Sequence, residues 1–225
     1  MKYTTPYVAP TLVVDSVVFQ LINGVLHVLL IKRSNNPFKG AWALPGGYCA
    51  EGETTLTALT RIVQEKAGVN LDKDTPFVEQ LYTFDTVARD PRGHAVSVVY
   101  VAWGLNFDPT NNTEQAEFFP VDSLPELAYD HSTIVTYAHE RIKGKITYTN
   151  AIGFMLPKYF TLTQLQSTYE AIFGHELDKR NFRKKFLALG LIKETNKQFR
   201  EGAHRPARLY TFVSHSLQVL SRSFD

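Results

Sequence analysis

Cys49 is the only thiol among the 225 residues. An internal disulfide is excluded, and the chain is expected in a reducing cytoplasm. A long uncharged apolar run is also lacking. The apolar N-terminal segment contains Asp15 and an Asn23-Gly24 break, and no basic start precedes it, so neither a signal peptide nor a membrane span is predicted. There is no internal repeat and no low-complexity tract. The seven histidines show no metal-ligand spacing. No serine or cysteine nucleophile motif is present, since nothing in the sequence places a base beside Cys49. An excess of one charge is missing too, at +2 overall, but this total conceals a split. Residues 151–225 hold six Lys and six Arg against four Glu and two Asp, a net of +6, which leaves −4 on residues 1–150. A basic last third fits a polyanionic partner or, more blandly, a solvated basic face. The length allows one large domain or two small ones.

The most organised stretch is 44–69, LPGGYCAEGETTLTALTRIVQEKAGV. A Gly46-Gly47 turn leads to Glu53 and then to a helix that Thr54 or Thr55 can cap. Leu56, Leu59 and Val63 at i, i+3, i+7 predict its buried face, and Gly68 is placed to end it. The order Gly47, Glu53, Arg61, Glu65, Gly68 and Val69 resembles the Nudix box of nucleoside-diphosphate-linked hydrolases, across 47–69. Those enzymes use three helical glutamates to hold magnesium against a diphosphate. Here the three positions read Ile62, Glu65 and Lys66. Residues i, i+3 and i+4 of a helix converge on one patch. Magnesium needs hard oxygen ligands there. Isoleucine supplies none, lysine puts a fixed positive charge where the cation would sit, and Glu65 is expected to pair with Arg61 or Lys66. The box therefore reads as degenerate, with no metal, no cofactor, no catalytic residue and no enzymatic activity.

Before the box, TLVVDSVVFQL (11–21) and VLHVLLIK (25–32) predict a hairpin through Asn23-Gly24. Phe38 and Trp42 flank the motif, either in the core or at the mouth of a pocket. After it, 77–84 and 95–105 predict two strands around DTVARDPRGH. This region resembles Nudix proteins that handle ADP-ribose-like compounds, so Arg89, Asp90 and Arg92 would reach a phosphate or sugar hydroxyl. An RDPRG turn closed by an Asp-Arg pair is the other reading. A strand at 117–121 and a helix over about 130–143 complete this part, and 144–150 is the expected domain boundary.

Beyond it, Leu165, Tyr169 and Phe173 predict a helix over 162–173. A second helix opens at Asp178, with Leu177 and Phe182 as a hydrophobic staple and Phe182, Phe186 and Leu187 inward. Lys179, Arg180, Asn181, Arg183 and Lys184 then fall on the outer side. Gly190 ends the helix, and two strands follow around a polar basic tip. This order is that of a winged helix, whose second helix reads the major groove while wing residues Lys197, Arg200, His204, Arg205 and Arg208 neutralise phosphate.

Together the parts resemble the Nudix-related bacterial transcription regulators. The resemblance implies an α/β (α+β) chain with a Nudix-like α/β/α sandwich and mixed sheet at 1–145, then a winged helix-turn-helix domain at 150–225. It also implies a homodimer on palindromic double-stranded DNA, acting as a repressor under a small-molecule effector and without a membrane role. Loss of the metal face favours the L-arabinose-responsive AraR branch, which controls sugar catabolism. Arg33, Arg89 and Arg92 keep open the alternative, an ADP-ribose-responsive regulator of NAD metabolism. The effector pocket is expected at Phe38, Trp42, Glu65, Lys66, Phe84, Asp85, Arg89 and Arg92. A rival of another class is an active Nudix pyrophosphatase with an accessory basic domain.

Overall fold

A computed structural model of the chain describes residues 8–73, 77–110, 113–199 and 206–220. Strand β1 (Thr11–Ile22) turns into β2 (Val25–Lys32) through Asn23 and Gly24, at φ 52° and 78°. Both lie in the left-handed region that a tight hairpin turn requires. Two short strands, β3 (Trp42–Ala43) and β4 (Gly46–Tyr48), lead to helix α1 (Thr55–Ala67). Then come β5 (Phe77–Phe84), β6 (Ala95–Gly104), β7 (Gln115–Pro120) and helix α2 (His131–Tyr148). The seven strands make one mixed sheet, in which β1 runs parallel to β6 and the other pairings are antiparallel. Residues 13–20 of β1 are all buried, as a central strand covered on both faces must be. Val14 and Val18 pack into the core beneath α1, while Val17 and Phe19 join that beneath α2.

The Thr54 side chain accepts a hydrogen bond from the Thr57 N–H to cap α1, and Gly68 ends the helix at φ 69°. Its buried face is Ala58, Leu59, Ile62, Val63 and Ala67. Leu56, expected inside, lies in the first turn of the helix and is 52% exposed. Helix α2 runs past Lys143 to Tyr148, with Gly144 inside it. Ile134, Ala138, Ile142 and Ile146 are fully buried and carry the apolar stripe through the expected break. The 145–150 division thus falls at the last turn of α2 and the residues just beyond.

A short 3-10 turn (Ala151–Met155) leads to α3 (Leu162–Phe173), α4 (Lys179–Ala188) and a two-stranded ribbon, β8 (Ile192–Phe199) with β9 (Ala207–Phe212). Thr161 and Gln164 form a capping box on α3, and Asp178 caps α4. The centre is aromatic: the Tyr169 ring lies 5.5 Å from Phe182 and 5.8 Å from Phe186. Each such buried side chain contributes about 1.5–3 kcal/mol. Leu187, expected inward, is 45% exposed, since the inward positions at i and i+4 are Phe182 and Phe186. This aromatic cluster continues into the core under α2. The Tyr169 hydroxyl donates to the Ile146 carbonyl at 3.2 Å, so α3 is bonded to the end of α2. Among the described residues, no helix is long and apolar enough to cross a membrane.

Candidate functional site

Helix α1, the β4 turn, β1, the 85–94 loop and the start of α2 surround a cavity of about 470 Å³. Its floor is built around Asp15, the only charged residue in the apolar run of β1. Asp15 accepts from Ser97 Oγ at 2.6 Å and, more weakly, from Arg89 at 3.4 Å. Arg89 holds Asp130 in a bidentate pair at 2.8 and 3.0 Å. His131 Nδ1 accepts from the Leu44 N–H at 2.9 Å, leaving Nε2 toward Asp15 at 3.9 Å. Burial pushes the His131 pKa down, so the ring is neutral with its proton on Nε2. Gly46 is required by close approach: a Cβ there would overlap the Asp15 carboxylate.

On the helix side, Arg61 locks the box turn. It donates to both Glu53 oxygens at 2.6 and 2.8 Å, to Glu65 at 3.1 Å and to the Tyr48 carbonyl at 3.0 Å. Arg61 and the Ala50 N–H hold the Glu53 carboxyl down at about 2. Ile62 is buried, and its Cδ1 would touch a Cβ on Gly47 at 3.3 Å. Of the three box positions, one is therefore apolar and one carboxylate is held by a guanidinium. The third is Lys66, whose pKa is pushed down by burial, with the Glu114 charge as the largest opposing influence.

The remaining walls combine arginines and aromatic rings. Arg92 holds Asp90 at 2.6 Å, donates to Tyr48 Oη at 2.8 Å and lies 5.6 Å from the Tyr48 ring. Arg33 lies 5.0 Å from the Tyr129 ring and donates to the carbonyls of Pro37 and Asn35. Tyr129 adopts φ 57°, a left-handed conformation that costs a bulky residue about 1–3 kcal/mol. Its hydroxyl is sealed from solvent and has no partner among the described residues, and Glu114 Oε2 is in the same condition.

Glu65, Lys66, Arg89 and Arg92 thus come together around one cavity. Phe38, Trp42, Phe84 and Asp85 do not line it. Phe38 is exposed and packs edge-on against Tyr129 at 4.8 Å. Trp42 packs on Phe119 at 4.6 Å, the core role. Phe84 turns to Tyr82 and Tyr137 under α2, and Asp85 is exposed where the chain leaves the sheet. The Asp-Arg pair of the RDPRG turn forms between Asp90 and Arg92, and both residues line the cavity. Asp15, Tyr48, Glu114, Tyr129 and His131 were not among the expected pocket residues. Only Asp15 left a local signal, a lone acid within an apolar strand.

In the second part, Lys179, Arg180, Asn181 and Lys184 are exposed on α4. Arg183, expected outward, is half-buried and turns back to donate to Thr163 Oγ1 at 3.2 Å, because it follows Phe182 toward α3. Lys197 lies over the Tyr159 ring at 4.0 Å, and Arg208 pairs with Glu194 at 2.9 Å across the ribbon. Arg200, His204 and Arg205 lie outside the described residues.

Residues 12–138 match the NUDIX domain family, and residues 152–212 match the NrtR DNA-binding winged helix domain. The chain is 36% identical to the ADPR responsive transcriptional repressor NtrR of Acinetobacter baylyi, over 92% of this chain and 84% of that one. It is similar to the crystal structure of Shewanella oneidensis NrtR complexed with a 27mer DNA. The TM-score is 0.74 at 32% identity, covering 89% of this chain and 93% of the other. The NUDIX domain of the Shewanella protein, solved with ADP ribose, is 35% identical with a TM-score of 0.55. That match covers 60% of this chain and 90% of the other. The chain therefore belongs to the NrtR-type transcription regulators, DNA-binding proteins in which a NUDIX domain precedes a winged helix.

Proposed function

We propose that this regulator responds to ADP-ribose or a close relative, bound without hydrolysis in the cavity beside α1. The observation that carries this is the charge balance of the walls. Arg61, Arg89 and Arg92 are each held by a carboxylate. Lys66 and Arg33 make no ion pair with any described carboxylate, although the Glu114 charge acts on Lys66 from nearby, so two cations remain to meet an incoming anion. A diphosphate suits them, whereas a neutral sugar gives them nothing. The names of the Acinetobacter and Shewanella proteins support the same choice, since both mention ADP-ribose. The L-arabinose expectation has no such support and gives way to the nucleotide alternative.

Magnesium does not fit this residue set. Ile62 offers no oxygen, the Glu65 carboxylate is held by Arg61, and Lys66 would repel a cation. In our reading the ammonium of Lys66 neutralises phosphate in place of a metal. An ammonium lends charge, but it cannot lower the pKa of a bound water as a metal does, so the diphosphate is held and not cut. Tyr48 and Tyr129 give the flat surfaces on which a base or sugar would rest.

The route from cavity to DNA is α2. Asp130, bonded to Arg89, precedes its first turn. Its other end receives the Tyr169 hydroxyl of α3, and His139 Nε2 lies 2.8 Å from the Ile172 carbonyl. An effector that binds one arrangement of α2 better than another would shift the winged helices of a homodimer on a palindromic operator. The exposed Arg180 and Asn181 are placed to read bases.

Calorimetric titration in EDTA tests the effector. ADP-ribose is expected to bind and raise thermal stability, by about 2.7 kcal/mol at 100 times Kd, while L-arabinose leaves it unchanged. With magnesium added, no AMP should accumulate. Release of AMP would make the protein a hydrolase and overturn the degenerate-box reading.

A further inference from the structure

One carboxylate of the cavity makes no ion pair among the described residues. Asp15, Asp90 and Glu65 are each paired with an arginine. Glu114, just before β7, forms an ion pair with no described cation. Its Oε1 accepts a hydrogen bond from Ser34 Oγ at 3.1 Å. Its Oε2 is sealed from solvent and bonded to nothing among the described residues. A carboxylate oxygen removed from water without a donor in exchange is costly, and such groups are tolerated where function uses them. Glu114 also lines the cavity together with Lys66, so a ligand anion drawn to the ammonium arrives close to a carboxylate that would repel it. The two requirements are met together by a ligand that presents phosphate to Lys66 and hydroxyl donors to Glu114. A carboxylate reads a ribose diol in this way when it accepts from the hydroxyls, and the torsion at the end of a glutamate is soft enough to turn Oε2 toward them.

We infer that Glu114 determines specificity by accepting hydrogen bonds from a ribose of the bound nucleotide, so that the cavity selects a sugar-bearing diphosphate over bare diphosphate. This rests on the nucleotide reading above. The test is calorimetric titration of the full chain, and of Glu114→Ala and Glu114→Gln, with ADP-ribose and with inorganic pyrophosphate. Pyrophosphate has no hydroxyl to donate, so the two ligands should move in opposite directions. Glu114→Ala is expected to weaken ADP-ribose binding roughly ten- to a hundredfold. Glu114→Gln keeps an acceptor oxygen and should weaken it less, and both variants should tighten pyrophosphate. A loss of affinity for both ligands would mean only a damaged site, and unchanged ADP-ribose affinity would mean that Glu114 reads nothing; either overturns the inference. Failure of the unsubstituted protein to bind ADP-ribose would instead overturn the nucleotide reading itself. Unfolding curves of the two variants, expected to match that of the parent, distinguish misfolding from a lost contact.

Discussion

Arg89→Ala is expected to lower the unfolding free energy by about 3–5 kcal/mol with no effector present, the cost of breaking a buried ion pair from one side. The Arg89 side chain is 4% exposed, and that of Asp15 is 8% exposed. Removing the guanidinium leaves the buried Asp15 facing Asp130, whose side chain is 23% exposed, with no cation between them. Asp15 keeps Ser97, but Asp130 loses both bonds of its bidentate pair. Lysine should not restore stability, because a single ammonium cannot reproduce the planar fork that spans two carboxylates. Denaturant titration of the two variants measures this. A loss below about 1 kcal/mol, the range of exposed pairs, would mean that Arg89 is free for the ligand and is no part of the frame.

Lys66→Glu is the second large effect. The substitution restores a box glutamate and reverses the charge next to Glu114. Without metal, ADP-ribose affinity is expected to fall at least a hundredfold, about 2.7 kcal/mol, since two carboxylates would then face the diphosphate. Magnesium should recover part of this in the variant, where hard oxygen ligands become available, and should do nothing for the parent. Calorimetry with EDTA or magnesium checks both statements. Binding by the variant in EDTA as tight as the parent's would show that Lys66 does not hold phosphate.

The contrast between Lys66 and Glu114 also shows what can be read from sequence. The box is local, and the intervals between Gly47, Glu53, Arg61 and Gly68 determine one turn and one helix. Its fold and its departures at Ile62 and Lys66 were therefore visible. The winged helix was visible for similar reasons: caps at Thr161 and Asp178 and aromatic spacing at Tyr169, Phe182 and Phe186 specify short elements. The cavity is not local. Asp15 comes from the first strand, Glu114 from the bend just before the last strand of the sheet and Tyr129 from the loop before α2, and no spacing connects them. Phe84 and Asp85 lie away from the cavity because the strand ends there, and of the loop that follows only Arg89, Asp90 and Arg92 line it. Loss of a metal ligand at Ile62 argued for a sugar, but that inference weighed the missing oxygen and not the charge gained at Lys66.

The most direct measurement is operator affinity as a function of effector. A duplex selected from a random pool, labelled and followed by fluorescence anisotropy at fixed salt, would be titrated with protein in the presence of ADP-ribose or L-arabinose. The account predicts a 5- to 150-fold change in apparent Kd with ADP-ribose, about 1–3 kcal/mol of coupling, and none with L-arabinose. Operator binding that ignores ADP-ribose, or that yields to the sugar instead, would contradict it.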